Sequence, residues 1–216
     1  MSDVQTEAVV VGRVRHERHD RILKIIIDNP TKKNAFHPQM MAELAEAMTL
    51  LETDDELWTG VLCAEGENFT AGLDMPKFFG PGAAAHQRPR PAGAVDPFGL
   101  GRRLTKPLVT AVSGICFTVG IEMALAGDIV IAADDARFCQ MEAKRGIAPL
   151  GGAHFRYITR AGWGNASTTS CCAMNSVRRR PIASASCRRW SRWAGMWSAR
   201  WRSRGSSTPT RRWGCG

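Results

Sequence analysis

β-rich runs alternate with amphipathic segments along this 216-residue chain, and that alternation restricts it to an α/β architecture. VVVGRVRHERHDRILKIIIDNP sets two β-branched runs either side of a polar HERHD turn, which predicts a hairpin that Pro30 ends. From His37, HPQMMAELAEAMTLLETDDE places Met41, Leu44, Met48 and Leu51 at helical spacing with acids on the other face. An amphipathic helix packed on the hairpin is expected. LWTGVLCAEGENFTAG adds a strand followed by turns at Gly66 and Gly72, and LVTAVSGICF and DIVIAADD each read as one further strand. Strands that end at glycines and alternate with helices put sites at the strand ends.

The charge is unevenly placed. The formal net charge is +9, yet residues 1–160 hold 18 basic and 20 acidic side chains, whereas residues 161–216 hold 11 arginines and no acid. From Ser167 on, the chain is rich in Ser, Trp and Cys and has no sustained periodicity. A basic nucleic-acid arm mixes lysine with arginine and rarely crowds Trp190, Trp193, Trp197 and Trp201 together. Such a composition is what a GC-rich gene gives in a wrong frame. With GC-rich codons and a shift back by one nucleotide, the tail decodes as YHLLLCDEFGPPEAYRIGLVQEVVPVG and later VEIARLINANAPLG, which restore acids and aliphatic periodicity. The expected organisation is therefore a core domain over 1–166 and an out-of-frame, disordered Arg/Ser/Trp-rich tail over 167–216.

Several function classes are disfavoured. The start MSDVQTE is not a signal peptide and no apolar run spans a bilayer, so a cytoplasmic protein with no membrane partner is expected. The seven cysteines show no CxxC and no zinc spacing, so free thiols and no metal site are expected. There is no GxxxxGK[ST] and no GxGxxG after a strand, which argues against nucleotide hydrolysis and classical dinucleotide binding. The five histidines lie in turns or loops without a nucleophile or carboxylate setting. Residues 80–97, GPGAAAHQRPRPAGAVDP, read as a mobile surface loop, either a pocket cover or a plain spacer.

Two acids stand out. Glu122 lies in GICFTVGIEMALAGDIVIAA among apolar or small neighbours, and Glu142 follows a short apolar stretch in FCQMEAKRGIAPLGG. A carboxylate carried into an apolar interior costs on the order of several kcal/mol unless it is paired, hydrogen-bonded or protonated. Function is one common reason to tolerate that cost. A capped helix and a surface charge would also fit the two residues taken alone.

Three blocks in fixed order add to them: NPTKKNAF (29–36), ENFTAGLDMPKF (67–78), and GICFTVGIEMALAGD with FCQMEAKRGIAPLGG. Over roughly residues 8–166 the chain resembles the crotonase, or enoyl-CoA hydratase/isomerase, superfamily. The resemblance implies a crotonase-like spiral of ββα units, with the family's C-terminal helical region missing or replaced by the tail. It further implies a homotrimer or hexamer, an acyl-CoA thioester as substrate and no cofactor beyond the coenzyme A that the substrate carries. By position, the backbone N–H groups of Leu73 and Val119 would form the oxyanion hole, a type of donor worth about 2.7–4 kcal/mol when removed. Glu122 would be the water-orienting base and Glu142 the proton donor, so the implied reaction is hydration of a trans-2-enoyl-CoA to a 3-hydroxyacyl-CoA. Isomerase and carnitinyl-CoA-type dehydratase relatives are alternatives, as is an inactive frameshifted remnant.

The resemblance also places Lys32, Lys33, Ala35, Ala71, Gly72 and Asp74 along the coenzyme A. Exposed lysines are equally often just solvated, and Asp74 could instead cap the helix that begins at MPKFF. Gly72 and the Gly151-Gly152 pair are read as serving backbone geometry. Thr118 and Val119 stand where the family commonly has glycines, which narrows the acyl pocket. No specific nucleic-acid partner is expected.

Overall fold

A computed structural model of the chain describes residues 12–81, 92–164, 166–167 and the backbone of 176–177. The hairpin forms from β1 (Arg13–His19) and β2 (Ile22–Asp28), paired antiparallel with His19 opposite Ile22. The turn is tighter than HERHD, because its first four residues belong to β1 and only Asp20, in the left-handed conformation, and Arg21 connect the strands. β3 (Thr59–Ala64), β4 (Leu108–Val112) and β6 (Ile129–Ala132) continue the sheet in parallel, in the order β1-β2-β3-β4-β6. The continuous apolar run of β2 is what a strand buried on both faces requires. Leu23, Ile25 and Ile27 enter the main core, while Ile26 packs with Cys63 in a second small cluster.

α1 (Pro38–Thr53) covers the hairpin and starts with proline at its first position, where the missing N–H costs nothing. Its inward stripe is Met40, Leu44, Met48 and Leu51. Met40, not Met41, takes the first core position, and Met41 is only partly buried.

The largest departure from the strands read by periodicity is a second layer. LVTAVSGICF is two strands, β4 and β5 (Ile115–Phe117), in different sheets. Gly114 makes the bend at φ +53°, where an added Cβ would overlap the Glu67 carbonyl oxygen. β7 (Arg137–Cys139), absent from the sequence reading, pairs parallel with β5, and β8 (Ser176–Val177) pairs antiparallel with β7. Single-residue bridges extend this layer: Phe36 pairs with Leu73, and Thr70 with Cys116. Each turn of chain thus lays one strand in the large sheet and one short rung above it: β2 then Phe36, β3 then Thr70–Leu73, β4 then β5, β6 then β7. This is the ββα spiral that the resemblance implies.

α2 (Met75–Phe79), α3 (Val119–Ala126) and α4 (Ala153–Ala161) follow, with α4 packed on α3, and 3-10 turns lie at Pro30–Lys32 and Ala143–Arg145. Strand ends are not uniformly glycine: β2 runs into Asn29 and β6 into Ala133. Cys116 and Cys139 are buried and outside any disulfide, whereas Cys63 is disulfide-bonded, which corrects the expectation of free thiols at that position. Of the predicted mobile loop, residues 92–97 are ordered by packing, with Val95 and Asp96 buried, and 82–91 lie outside the described residues. The predicted tail also lies outside them, apart from Ser167 and the β8 backbone. No helix among the described residues is long and apolar enough to cross a membrane.

Candidate active site

The second-layer rungs bring Leu73 and Val119 to one side of the molecule. In the bridge to Phe36, the Phe36 N–H donates to Gly72 O at 2.8 Å and the Asp74 N–H to Phe36 O at 2.7 Å. Parallel pairing alternates, so the Leu73 N–H between them faces the other way, toward the rung that leads into α3. Val119 is the first residue of α3, and its N–H has no intrahelical acceptor. Neither amide has a hydrogen-bond partner among the described residues. The bend before Val119 is made by Thr118 at φ +50° and ψ −116°, with its N–H donated to Cys139 O at 3.1 Å. A β-branched residue is strained there. The Thr118 hydroxyl lies against the Cα of Gly72, beside the residue that precedes Leu73.

Glu122 lies one turn into α3 and is 2% exposed. Its Oε1 accepts the Ala153 N–H, the first amide of α4, at 3.3 Å. Gly151 lies against the same carboxylate: an added Cβ would overlap Oε2 and fall 2.6 Å from Cδ and 2.9 Å from the Phe98 ring. Gly151 therefore shapes the site directly and is more than a flexible turn. Burial pushes the Glu122 carboxyl up to about 7, helped by the charge of Glu142 and opposed by the Ala153 and Gly151 amides.

Glu142 opens the 3-10 turn Ala143–Arg145 after β7 and is 7% exposed. Its carbonyl accepts the Arg145 and Ile147 N–H groups, which fixes the backbone that aims the side chain. Its Oε2 has no hydrogen-bond partner, and neither has either polar atom of the fully buried Gln140 two residues earlier. Burial pushes the Glu142 carboxyl up as well. Both carboxyls are thus pushed toward the protonated form by burial, and backbone N–H groups oppose the shift at each.

Sequence reasoning missed several residues around this pair. Phe98 walls the Gly151 side. Tyr157, 8% exposed, is one turn beyond Ala153 and close enough for Glu122, Glu142, Cys116 and Cys139 to raise its hydroxyl pKa, with burial the largest cause. Asn34, fully buried in NPTKKNAF, organises the opposite loop: its Oδ1 accepts the Asn29 N–H at 2.6 Å and its Nδ2 donates to Glu65 O and Asn68 O. The signal was available, since buried asparagine at φ +56° is a common device for tying loops, but its partners lie more than thirty residues away.

The residues expected along the coenzyme A cluster on that loop. Lys32 Nζ contacts Asp74 Oδ2 at 3.0 Å, and Asp74 makes no side-chain cap to α2, which corrects the capping alternative. The Ala71 N–H donates to Lys33 O at 2.9 Å and the Ala35 N–H to Lys32 O at 3.1 Å, so 32–35 and 71–74 form one surface with Gly72 at its centre. Lys33 is exposed, with its backbone in the left-handed conformation.

Comparison with known proteins follows the same outline. The curated relatives include a carnitinyl-CoA dehydratase of Citrobacter koseri, 36% identical over 149 residues, covering 64% of this chain and 52% of that protein. Enoyl-CoA hydratase EchA19 of Mycobacterium tuberculosis is 31% identical over 144 residues, covering 66% of this chain and 54% of that protein. The chain spans about half the length of the curated relatives it matches. Among solved structures, enoyl-CoA hydratase EchA1 of Mycobacterium marinum superposes with a TM-score of 0.70 at 32% identity, covering 87% of this chain and 74% of that one. The sequence profile of the enoyl-CoA hydratase/isomerase family matches residues 17–176, and the chain belongs to that family.

Proposed function

We propose that the protein hydrates a trans-2-enoyl-CoA to the 3-hydroxyacyl-CoA. The observation that carries this reading is the pair of buried carboxyls, Glu122 and Glu142, both with raised proton affinity, beside two unpartnered amides. Ionised Glu122 takes a proton from water as its oxygen bonds to C3. The C2–C3 π electrons move toward the thioester, whose oxygen the Leu73 and Val119 amides hold as an enolate. Protonated Glu142 then delivers its proton to C2, and proton exchange with solvent resets the two carboxyls. Every group required comes from the protein, and coenzyme A enters as part of the substrate.

Lys32, Lys33, Ala35, Ala71, Gly72 and Asp74 form the surface assigned to the coenzyme A. Assembly into a homotrimer or hexamer is supported by Leu150, Phe155 and Trp163, which this chain alone leaves 78%, 41% and 72% exposed. A cytoplasmic location and a frameshifted tail from Ser167 complete the reading. Its closest rival is dehydration of a carnitinyl-CoA-type substrate, favoured by the Citrobacter koseri relative.

The test is crotonyl-CoA and crotonobetainyl-CoA hydration by the chain as written and by a form whose tail is restored to the other frame. Turnover of crotonyl-CoA that Glu142→Gln lowers at least about 100-fold supports the proposal. A restored form that assembles but hydrates neither thioester overturns it. If only the restored form turns over, the written tail disables the enzyme.

A further inference from the structure

We propose that Arg156 is a positioning residue for Glu122: its guanidinium ties the carbonyl of Gly151 to that of Gly99 and so fixes the turn whose next amide holds the carboxylate. Nη1 donates to Gly151 O at 3.0 Å and Nη2 to Gly99 O at 3.4 Å. The planar fork of arginine suits two carbonyls presented by different segments, which a lysine could not span. The turn it holds needs an external brace. Gly151 and Gly152 are adjacent, with Gly152 at φ +99°, and two glycines in a row carry the largest backbone freedom of any dipeptide. Yet this turn delivers the Ala153 N–H to Glu122 Oε1 and sets Gly151 against Oε2.

The other anchor is rigid. Asp96 is 8% exposed, and its carboxylate accepts the N–H groups of Phe98, Leu100 and Gly101 at 3.0–3.1 Å, which locks the 96–101 loop. That loop presents Gly99 O to Arg156 and the Phe98 ring to Gly151. The brace therefore runs from Asp96 through Arg156 to the glycine turn and ends at the carboxylate. Charge acts along the same line. Arg156 feels Glu122 and Asp96 as favourable neighbours and Arg103 and Arg160 as unfavourable ones, and Glu122 faces Glu142 and His154 as well. A guanidinium on this side favours ionised Glu122, the form that accepts a proton from water.

The kinetic part of this inference rests on the hydratase reading, so the experiment includes two readouts that need no turnover. They are amide exchange of Ala153 and titration of the Glu122 carboxyl by NMR, in the full chain and in Arg156→Ala and Arg156→Lys. In Arg156→Ala, Ala153 exchange should quicken at least about tenfold and the Glu122 titration should move up, with turnover down about 30–100-fold at a KM within about threefold. Arg156→Lys keeps the charge without the fork, so it should still quicken exchange and move the titration up less than Arg156→Ala does. Should Arg156→Ala fail to fold, the exchange of Arg156→Lys decides. Exchange and titration that match wild type in a folded variant overturn the proposal. Exchange and titration that respond while no enoyl-CoA is hydrated uphold it and overturn the hydratase reading instead.

Discussion

Ala153 donates its backbone N–H to Oε1 of Glu122 across 3.3 Å, from a turn in which Gly151 lies against Oε2 of the same carboxylate. The acid is gripped by backbone on both oxygens, and the grip leaves no room for a side chain. Gly151→Ala is therefore expected to push the carboxylate or the turn aside. Misplacement of a catalytic group by about 1 Å costs on the order of 100-fold in rate. Overpacking of this kind also destabilises by about 1–3 kcal/mol. Steady-state kinetics and thermal melts of the variant measure both. A variant with wild-type kcat and melting point would show that the turn can yield without moving Glu122.

The raised carboxyl of Glu122 links stability to pH. Folded Glu122 holds its proton to about 7, against an ordinary value of 4.5. Between those values the folded protein binds more protons than the unfolded chain, so stability falls as pH rises. The contribution is complete below about pH 4.5 and lost above about pH 7, on the order of 1–3 kcal/mol. Melts from pH 5 to pH 8 should fall more for wild type than for Glu122→Gln. Glu142, shifted in the same direction, leaves a residual slope that the double variant should lose. Parallel pH curves for wild type and Glu122→Gln would contradict the assignment.

What the sequence revealed and what it hid have a physical division. The hairpin, α1 and the strands of the large sheet are long enough for a period of 2 or 3.6 to register. The rungs at Phe36, Thr70–Leu73, Ile115–Phe117 and Arg137–Cys139 span one to four residues, too short for any period, so the second layer was legible only through the family resemblance. Met40 displaced Met41 because both are apolar and adjacent, and the choice between them depends on the helix rotation set by its packing on β1 and β2. Glu122 was legible because its neighbours are apolar. Arg156, Asp96 and Phe98 were not, since an arginine, an aspartate in a Gly/Pro-rich stretch and a lone aromatic look like surface until the chain closes on them.

The Lys32–Asp74 contact separates a binding role from a structural one. The pair is 3.0 Å apart with Lys32 59% exposed, and exposed ion pairs contribute about 0–1 kcal/mol. Lys32→Ala should leave the melting point within about 2 °C. If Lys32 meets the coenzyme A phosphates, the variant raises KM for an enoyl-CoA several-fold at low salt and leaves KM for the phosphate-free pantetheine thioester unchanged. Equal effects on both thioesters would remove Lys32 from the binding surface.

Thr118 adopts φ +50° and ψ −116°, a conformation that glycine takes freely and a β-branched residue resists. Strain of this kind costs about 1–3 kcal/mol, while a glycine at the same place would lose about 0.5–1 kcal/mol through the greater freedom of the unfolded chain. The difference favours glycine, so Thr118→Gly should stabilise the protein by about 1 kcal/mol and raise its melting point by about 2–4 °C. The substitution also removes the hydroxyl that lies against Gly72, on the residue between the Cys139 carbonyl contact and the Val119 amide. Space beside both donor amides then opens, and longer or branched enoyl-CoA thioesters should gain kcat/KM relative to crotonyl-CoA. A stabilised variant with an unchanged substrate profile would separate the strain from specificity. A destabilised variant would mean that packing of the threonine on Gly72, added to the entropy cost of glycine, outweighs the strain.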